Sequence, residues 1–342
     1  MRISMKKLLA SLLVFSSLTC AGCFFQPEKQ EDTRFMMDTI VSISTTGKDR
    51  QALTQATNDA FTLFQTIADE TDSYTAHGPG TLFAVNEAAG KGPQKAAPHL
   101  YDLLKTLQPY HHEDEICLTL GPSIALWNRH KAENTVPTEE EAVEALAQSR
   151  RGQYSLGDGG TLTLAAGTQI DLGAVAKGYA VEQAAQQLAG NKAVQSALIN
   201  AGGNIKVIGK KEDGSAWRIG VQDPANAEKL LGTITVDSGT AIATSGDYQR
   251  YYEVNGIRYH HILDPRTGWP ARQAHAVTVV TRSATLSDYY STMLFVMPRE
   301  KALEFAEATP DLDIIYEALD GTVSVSSGLK DRFTPSSQGA SS

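Results

Sequence analysis

Between residues 50 and 70 the apolar positions Ala52, Leu53, Ala56, Ala60, Leu63, Phe64 and Ile67 recur at the spacing of one helix face. Just upstream, Ile40, Val41 and Ile43 suit a strand running from Met36 to about Thr45, and residues 72–98, with many Gly and Pro, read as loop. Leu100, Leu103, Leu104 and Leu107 predict a second helix. The run Pro137-Thr138-Glu139-Glu140-Glu141 is a helix start. Thr138 is placed to cap it and Glu141 completes a capping box, with the helix extending to about Arg150. Past residue 160 the period shortens. Strands are predicted at Thr161–Ala165, Ala197–Asn200, Trp217–Gln222, Thr233–Val236, Tyr251–Val254 and Val277–Thr281, with helices at 174–189, 284–296 and 298–307. Val254-Asn255-Gly256-Ile257 has the spacing of a two-residue hairpin, so antiparallel pairing is expected. The whole reads as an α+β fold with largely antiparallel sheets and flanking helices.

The two ends of the chain break this pattern. Arg2, Lys6 and Lys7 precede a largely apolar run from Leu8 to Leu18, shorter than the span of about 20 residues that a bilayer needs. Residues 1–22 therefore read as an export signal. Ala21 and Gly22 before Cys23 fit a lipoprotein cleavage site, with Cys23 lipidated and residues 23–33 a tether; a plain cleaved signal is the alternative. Lipidation at Cys23 places the protein outside the cytoplasm, anchored to a bacterial membrane, on the periplasmic face if the source is Gram-negative. Of three cysteines only Cys117 would then remain, which excludes an intrachain disulfide. Residues 333–342 read as a disordered tail, leaving 34–332 as the folded body. A formal net charge of −9 argues against a nucleic-acid binder that works by neutralising phosphates.

Four stretches concentrate reactive groups. In Asp171-Leu172-Gly173-Ala174-Val175-Ala176-Lys177-Gly178-Tyr179, an acid, small residues and a Lys open a helix, which suits a phosphate-bearing ligand; Asp171 as a helix cap with Lys177 solvated is the plain alternative. Asn200-Ala201-Gly202-Gly203-Asn204 can form a backbone nest for an anion or a tight turn. Thr244-Ser245-Gly246-Asp247-Tyr248 precedes His260-His261-Ile262-Leu263-Asp264-Pro265-Arg266-Thr267-Gly268. Adjacent strand residues face opposite ways, so at most one of the two His reaches a given site, there to act as a base, or both bond locally. Asp288 and Thr292, four apart on a predicted helix, share a face and offer hard oxygen ligands of the kind Mg²⁺ prefers; an exposed Asp with Thr292 bonded along its helix is the alternative. His111-His112, among acidic residues, reads as solvated loop.

Together and in this order, these stretches resemble the FAD:protein FMN transferase (ApbE) family from about Phe35 to Leu329. The pieces that carry the resemblance are Asp171–Tyr179, Ala201–Asn204, Thr244–Tyr248, His261–Gly268 and Asp288–Thr292. The resemblance implies transfer of FMN from FAD to a Thr or Ser hydroxyl of a partner protein, with release of AMP and a requirement for Mg²⁺. It implies a T-fold-like architecture with the active site in a cleft between two lobes. It places the metal on the Ala174 carbonyl and the Asp288 and Thr292 side chains, and FAD against Met37, Tyr74, Asp171, Lys177 and the Leu263 backbone. His261 matches the family's proposed catalytic base. The implied partners are acceptor flavoproteins with a short Thr/Ser-containing motif, either membrane redox subunits or exported flavoproteins.

The chain departs from the family pattern at Asp38, where Gly is usual, at Asp114–Cys117, at Ser287, Tyr289 and Tyr290 on the metal helix, and in a longer loop from Tyr74 to Asn86. Other readings are a Mg²⁺-dependent FAD pyrophosphatase giving FMN and AMP, a non-catalytic FAD-binding lipoprotein, and an extracytoplasmic solute-binding module.

Overall fold

The structure, a computed structural model, describes residues 27–336 apart from 111 and 212. The expected signal at 1–22, the lipidation site Cys23, His111 and residues 337–342 of the tail lie outside the described residues. Strands β1 (Glu28–Met36) and β2 (Thr39–Gly47) form a hairpin paired from Glu28–Gly47 to Met36–Thr39. Most of the stretch read as a tether is thus strand. Polar residues fill β1 because its side chains are largely exposed or half-buried. Helix α1 (Arg50–Thr71) begins where Asp49 accepts the Gln51 and Ala52 N–H groups, and buries Leu53, Phe61, Phe64 and Ile67. Within the region read as loop lie α2 (Leu82–Glu87) and β3 (Gln94–Lys95). Next come α3 (Pro98–Leu107), α4 (Gly121–Glu133) and α5 (Glu139–Arg151), the last with both bonds of its capping box formed. The chain continues through β4 (Tyr154–Gly157), β5 (Thr161–Leu164), α6 (Ala176–Gly190), β6 (Val194–Ala201), β7 (Asn204–Ile208), β8 (Trp217–Asp223) and β9 (Asn226–Val236). It ends with β10 (Ala241–Gly246), β11 (Tyr251–Val254), β12 (Ile257–His260), β13 (Ala274–Thr281), α7 (Ala284–Phe295), α8 (Arg299–Ala308), β14 (Asp313–Ala318), β15 (Val323–Val325) and β16 (Phe333–Pro335). β16 pairs with β9, so the stretch read as a tail begins as an ordered strand.

One open sheet of order β1-β2-β6-β7-β10-β13-β14-β15 organises the molecule, antiparallel at every step and closing no barrel. Helices α1, α6 and α7 pack on one face over Val41, Ile43, Ile199 and Val279. A three-stranded sheet, β16-β9-β8, covers part of the other face through Val207, Ile219, Ile234 and Val280. β13 lies between both layers and is buried along nearly its whole length, which accounts for the run of apolar and Thr side chains from Ala276 to Thr281. The predicted hairpin forms β11–β12, with Asn255 and Gly256 both at positive φ (54° and 75°) in a two-residue turn. His112 does not sit free in its loop: it packs edge-on against Phe305, ring centroids 5.3 Å apart. Among the described residues no helix is long and apolar enough to cross a membrane.

Helices α6 and α7 meet at Gly178. A Cβ there would overlap the Ala284 carbonyl oxygen and lie 2.5 Å from the Asp288 Cβ. One turn along α6, Glu182 accepts the Ala284 N–H at 2.6 Å and pairs with the buried Lys206 at 3.1 Å, whose ammonium also reaches the Arg282 carbonyl. The α6–α7 crossing is therefore close and polar at both heights.

Gly178→Ala should lower unfolding free energy in urea by about 1–3 kcal/mol through overpacking. Ordinary helix propensity alone would raise it by about 1 kcal/mol. A gain in stability would show that the helices do not meet here as described.

Candidate active site

The site is built at one end of the main sheet, where the α6 entry, α7 and the turns of the strands converge. Before α6 the chain makes a turn that Asp171 holds: its Oδ1 accepts the Gly173 N–H at 2.9 Å. Its Oδ2 accepts the hydroxyls of Ser73 (3.2 Å) and Tyr74 (3.0 Å). Asp171 therefore caps this turn rather than α6, whose N-cap is Val175. The Tyr74 ring is 61% exposed, but its hydroxyl end is enclosed by Asp171, Ser73 and Asn128. Enclosure first, then the Asp171 charge, push the phenol well above its ordinary pKa, so Tyr74 stays a hydrogen-bond donor.

Lys177, on the first turn of α6, points back. Its Nζ donates to the Gly173 carbonyl at 3.2 Å and lies 3.9 Å from Asp288 Oδ2. It is mostly covered, not a solvated surface charge. The same carboxylate accepts the Gly178 N–H at 2.8 Å. In a regular helix that N–H would bond the Ala174 carbonyl four residues back. Among the described residues, no backbone N–H outside the helices and strands takes that carbonyl. Asn204 gives Asp288 a further hydrogen bond. Burial pushes the Asp288 pKa up, and Lys177, the Gly178 N–H and Asn204 pull it down in part. Thr292, one turn along α7, bonds Ser245 of β10 at 3.3 Å. No three His, Cys, Asp or Glu side chains converge as a metal site among the described residues. What the site offers a cation is one buried carboxylate, one hydroxyl and one uncommitted carbonyl. The buried Asn204 Oδ1, without a hydrogen-bond partner, lies beside that carboxylate. Hard oxygen donors in a polar, partly satisfied cradle fit Mg²⁺.

The paired histidines part as strand alternation requires. His260 is buried; its Nε2–H donates to the Ala271 carbonyl at 2.8 Å and its Nδ1 accepts the Ile262 N–H. His261 faces outward, with its Nδ1 against the Arg250 carbonyl at 3.2 Å. A carbonyl only accepts, so Nδ1 carries the proton and Nε2 presents a lone pair. The ring is open to solvent yet set in a crowded recess. That crowding, then the charges of Arg250 and Lys177, hold its pKa well below the usual 6.5.

Met37 and Leu263 stand apart from this network. Met37 and Asp38 form the two-residue β1–β2 turn at φ 49° and 55°, and reach the site only through neighbours: Ile40 accepts the Gly202 N–H at 3.1 Å, two residues before Asn204. Leu263, 6% exposed, is packed with Leu120 and Trp127 beyond His261. Asn200–Asn204 is a tight turn between β6 and β7, and Asn200 already occupies the Gly203 N–H, so it is no anion nest. Sequence reasoning missed Ser73, Asn128 and Arg250, which stand at no motif spacing. It quoted Asn204 and Ser245 without seeing that they bond the α7 side chains. A cleft of about 960 Å³ lies elsewhere, lined by His77, Lys95, Tyr101 and Asp102 and by none of the predicted site residues. Its walls carry a His77–Asp69 pair at 3.6 Å and the hydroxyls of Thr66 and Tyr101, but the residues singled out in the sequence meet at the α6–α7 end instead.

The ApbE family pattern matches residues 37–316. An FAD:protein FMN transferase of Klebsiella pneumoniae (strain 342) is 31% identical over 285 residues, 81% of this chain and 87% of that one. One from Treponema pallidum (strain Nichols) is 32% identical over 295 residues, 81% of each chain. The solved ApbE protein of Thermotoga maritima superposes with a TM-score of 0.80 at 28% identity, covering 89% of this chain and 99% of that one. The flavin transferase ApbE of Vibrio cholerae does so with a TM-score of 0.76 at 25% identity, covering 90% and 99%. With the family pattern spanning most of its length and the fold shared over about nine-tenths of the chain, this chain belongs to the ApbE family.

Proposed function

We propose that this protein transfers FMN from FAD to a Thr or Ser hydroxyl of an acceptor protein, releasing AMP. The observation that carries the reading is the meeting of the Lys177–Asp288 pair, the Gly178 amide and Thr292 where α6 and α7 cross, with His261 near enough for the Lys177 charge to act on it. In the reaction the acceptor oxygen bonds to the FMN-side phosphorus of the pyrophosphate. The bond from that phosphorus to the bridging oxygen breaks, and AMP leaves with that oxygen. His261 Nε2 takes the hydroxyl proton, a role worth about 10²–10⁴-fold in rate. The Lys177 ammonium offsets the charge that the two phosphates bring. Mg²⁺, held by the Ala174 carbonyl, Asp288 and Thr292, supplies further neutralisation of that charge when bound. Tyr74, its hydroxyl tied to Asp171 and its ring exposed, offers a flat surface to the flavin. Export, a lipid at Cys23 and residence at the outer face of a bacterial membrane belong to the same reading, and rest on the pattern of residues 1–23. A second reading, FAD pyrophosphatase, has one observation in its favour: His261 is open to solvent, so water can take the place of the acceptor hydroxyl.

The deciding experiment incubates the purified protein with FAD, Mg²⁺ and a Thr-containing acceptor domain, and follows AMP and acceptor mass together. AMP with an FMN adduct on the acceptor is expected. AMP with free FMN and no adduct would establish the pyrophosphatase, and no AMP at all would leave a flavin carrier. His261→Ala should lose transfer by about 10²-fold or more while still binding FAD; lost FAD binding would make His261 a ligand contact instead. Asp288→Ala should abolish both Mg²⁺ dependence and activity, and full retained activity would sink the metal assignment.

The pH profile follows from the sign of the His261 shift. A base with a lowered pKa is neutral at pH 7 and is lost only as pH falls through that lowered value. The acid limb of kcat/KM should therefore lie below pH 6.5. A limb above that value, abolished in His261→Gln, would contradict the crowded, cationic surroundings described.

A further inference from the structure

We infer that Ser245 is a positioning residue for the cation site: it takes the Thr292 hydroxyl proton and so leaves that oxygen's lone pairs facing the cation. The inference rests on the Mg²⁺ reading above and adds to it the role of the Thr244–Tyr248 stretch.

The argument is a count of protons. Three hydroxyls lie in a row at the α7–β10 contact. Ser291 Oγ is 3.0 Å from the Asp288 carbonyl oxygen, Ser245 Oγ is 2.9 Å from Ser291 Oγ, and Thr292 Oγ1 is 3.3 Å from Ser245 Oγ. Each hydroxyl has one proton. A carbonyl can only accept, so Ser291 spends its proton on Asp288. Ser245 must then donate to Ser291, and Thr292 must donate to Ser245. No other assignment makes all three bonds. Its consequence is at Thr292: the proton is turned toward β10, and both lone pairs of that oxygen stay free. A hydroxyl that ligates a cation needs that polarity.

The placement is built in by the sheet. Strand alternation sends Thr244 to its own cross-strand bond with Thr278 (2.9 Å) and sends Ser245 toward α7. Ser245 is 7% exposed and Ser291 fully buried, so water does not compete for the protons of these two, while Thr292 is half-buried. Asn204 does the corresponding service for the other side-chain ligand, donating to the Asp288 carboxylate. The stretch read as an anion nest or a tight turn and the Thr244–Tyr248 stretch thus both orient metal-binding side chains. Outer partners of this kind are worth about 10–100-fold in metal affinity.

The test is Mn²⁺ titration of the full-length protein with FAD and no acceptor, read from the free-ion EPR signal. The variants are Ser245→Ala, Thr292→Val and the double variant. Ser245→Ala should weaken Mn²⁺ binding by about tenfold or more. The double variant should bind no more weakly than Thr292→Val alone, because Ser245 acts through Thr292. Unchanged binding in Ser245→Ala, or additive losses in the double variant, would overturn the inference. No Mn²⁺ binding by the wild type would instead defeat the metal reading on which it rests. Should Ser245→Ala fail to melt cooperatively, Ser291→Ala serves in its place. It frees the Ser245 proton to point at Thr292, so weaker Mn²⁺ binding is expected, and binding equal to wild type would overturn the proton order.

Discussion

Everything at the reactive end of this molecule depends on how closely α6 and α7 approach at Gly178. Because that residue has no Cβ, its backbone N–H can reach the Asp288 carboxylate at 2.8 Å. Asp288 is 5% exposed, and a carboxylate so buried needs donors to remain in place. The same approach brings the preceding residue, Lys177, to 3.9 Å from it. It also draws a helical N–H away from the Ala174 carbonyl, leaving an oxygen uncommitted where a cation would need one. One small residue thus sets the acid, the ammonium and the carbonyl together. Glu182 and Lys206, one turn on, keep the two helices from sliding apart.

Much of this was legible in the chain, and the reasons differ by element. The α1 stripe, the capping box of α5 and the Asn255-Gly256 turn are local signals whose structure needs only neighbouring residues. The split of His260 from His261 followed from strand alternation alone. α4 was not legible: its sequence, GPSIALWNRHKAE, has no apolar stripe, and it buries only Ser123, Trp127 and His130. β1 was read as tether because a strand at the edge of a sheet, exposed on one face, carries polar residues like a linker's. At the site, residue types singled out Lys177 and Asp288, which the structure brings to 3.9 Å, and His261, on which the Lys177 charge acts. Ser73, Asn128 and Arg250 were invisible because each reaches the site across a tertiary contact, from segments with no motif of their own.

The departures from the family pattern have structural explanations in this chain. Asp38 stands at φ 55° in a turn where Gly would be easiest, and Asp is among the side chains that tolerate that region. Tyr289 and Tyr290 line no part of the predicted site. They join Tyr110, His112 and Phe305 in one aromatic cluster, with ring centroids 5.3–6.4 Å apart, that ties the acidic loop after α3 to the back of α7 and α8. That loop leads to Leu118, whose carbonyl accepts the Asp171 N–H at 2.9 Å. The enlarged aromatics therefore act on the site at one remove, by bracing the segment that carries the Asp171 turn.

The acid and the base of the site are tuned by the same two cations. Lys177 and Arg250 both favour the ionised form of Asp288, working against the burial that would protonate it. Both also disfavour the protonated form of His261, working with its crowding. A positive charge near a carboxylate and an imidazole pushes both pKa values down; at Asp288 it offsets burial only in part, and at His261 it adds to it. This is the pairing that phosphoryl transfer to a weak nucleophile asks for: an anion to hold a cation, and a free lone pair to take a proton. Asp288, His261, Lys177 and Arg250 come from four separate stretches of sequence, and the charges of the last two act on both of the first. The unit on which the chemistry rests is the charge arrangement that the α6–α7 contact and the base of the β11–β12 hairpin bring together.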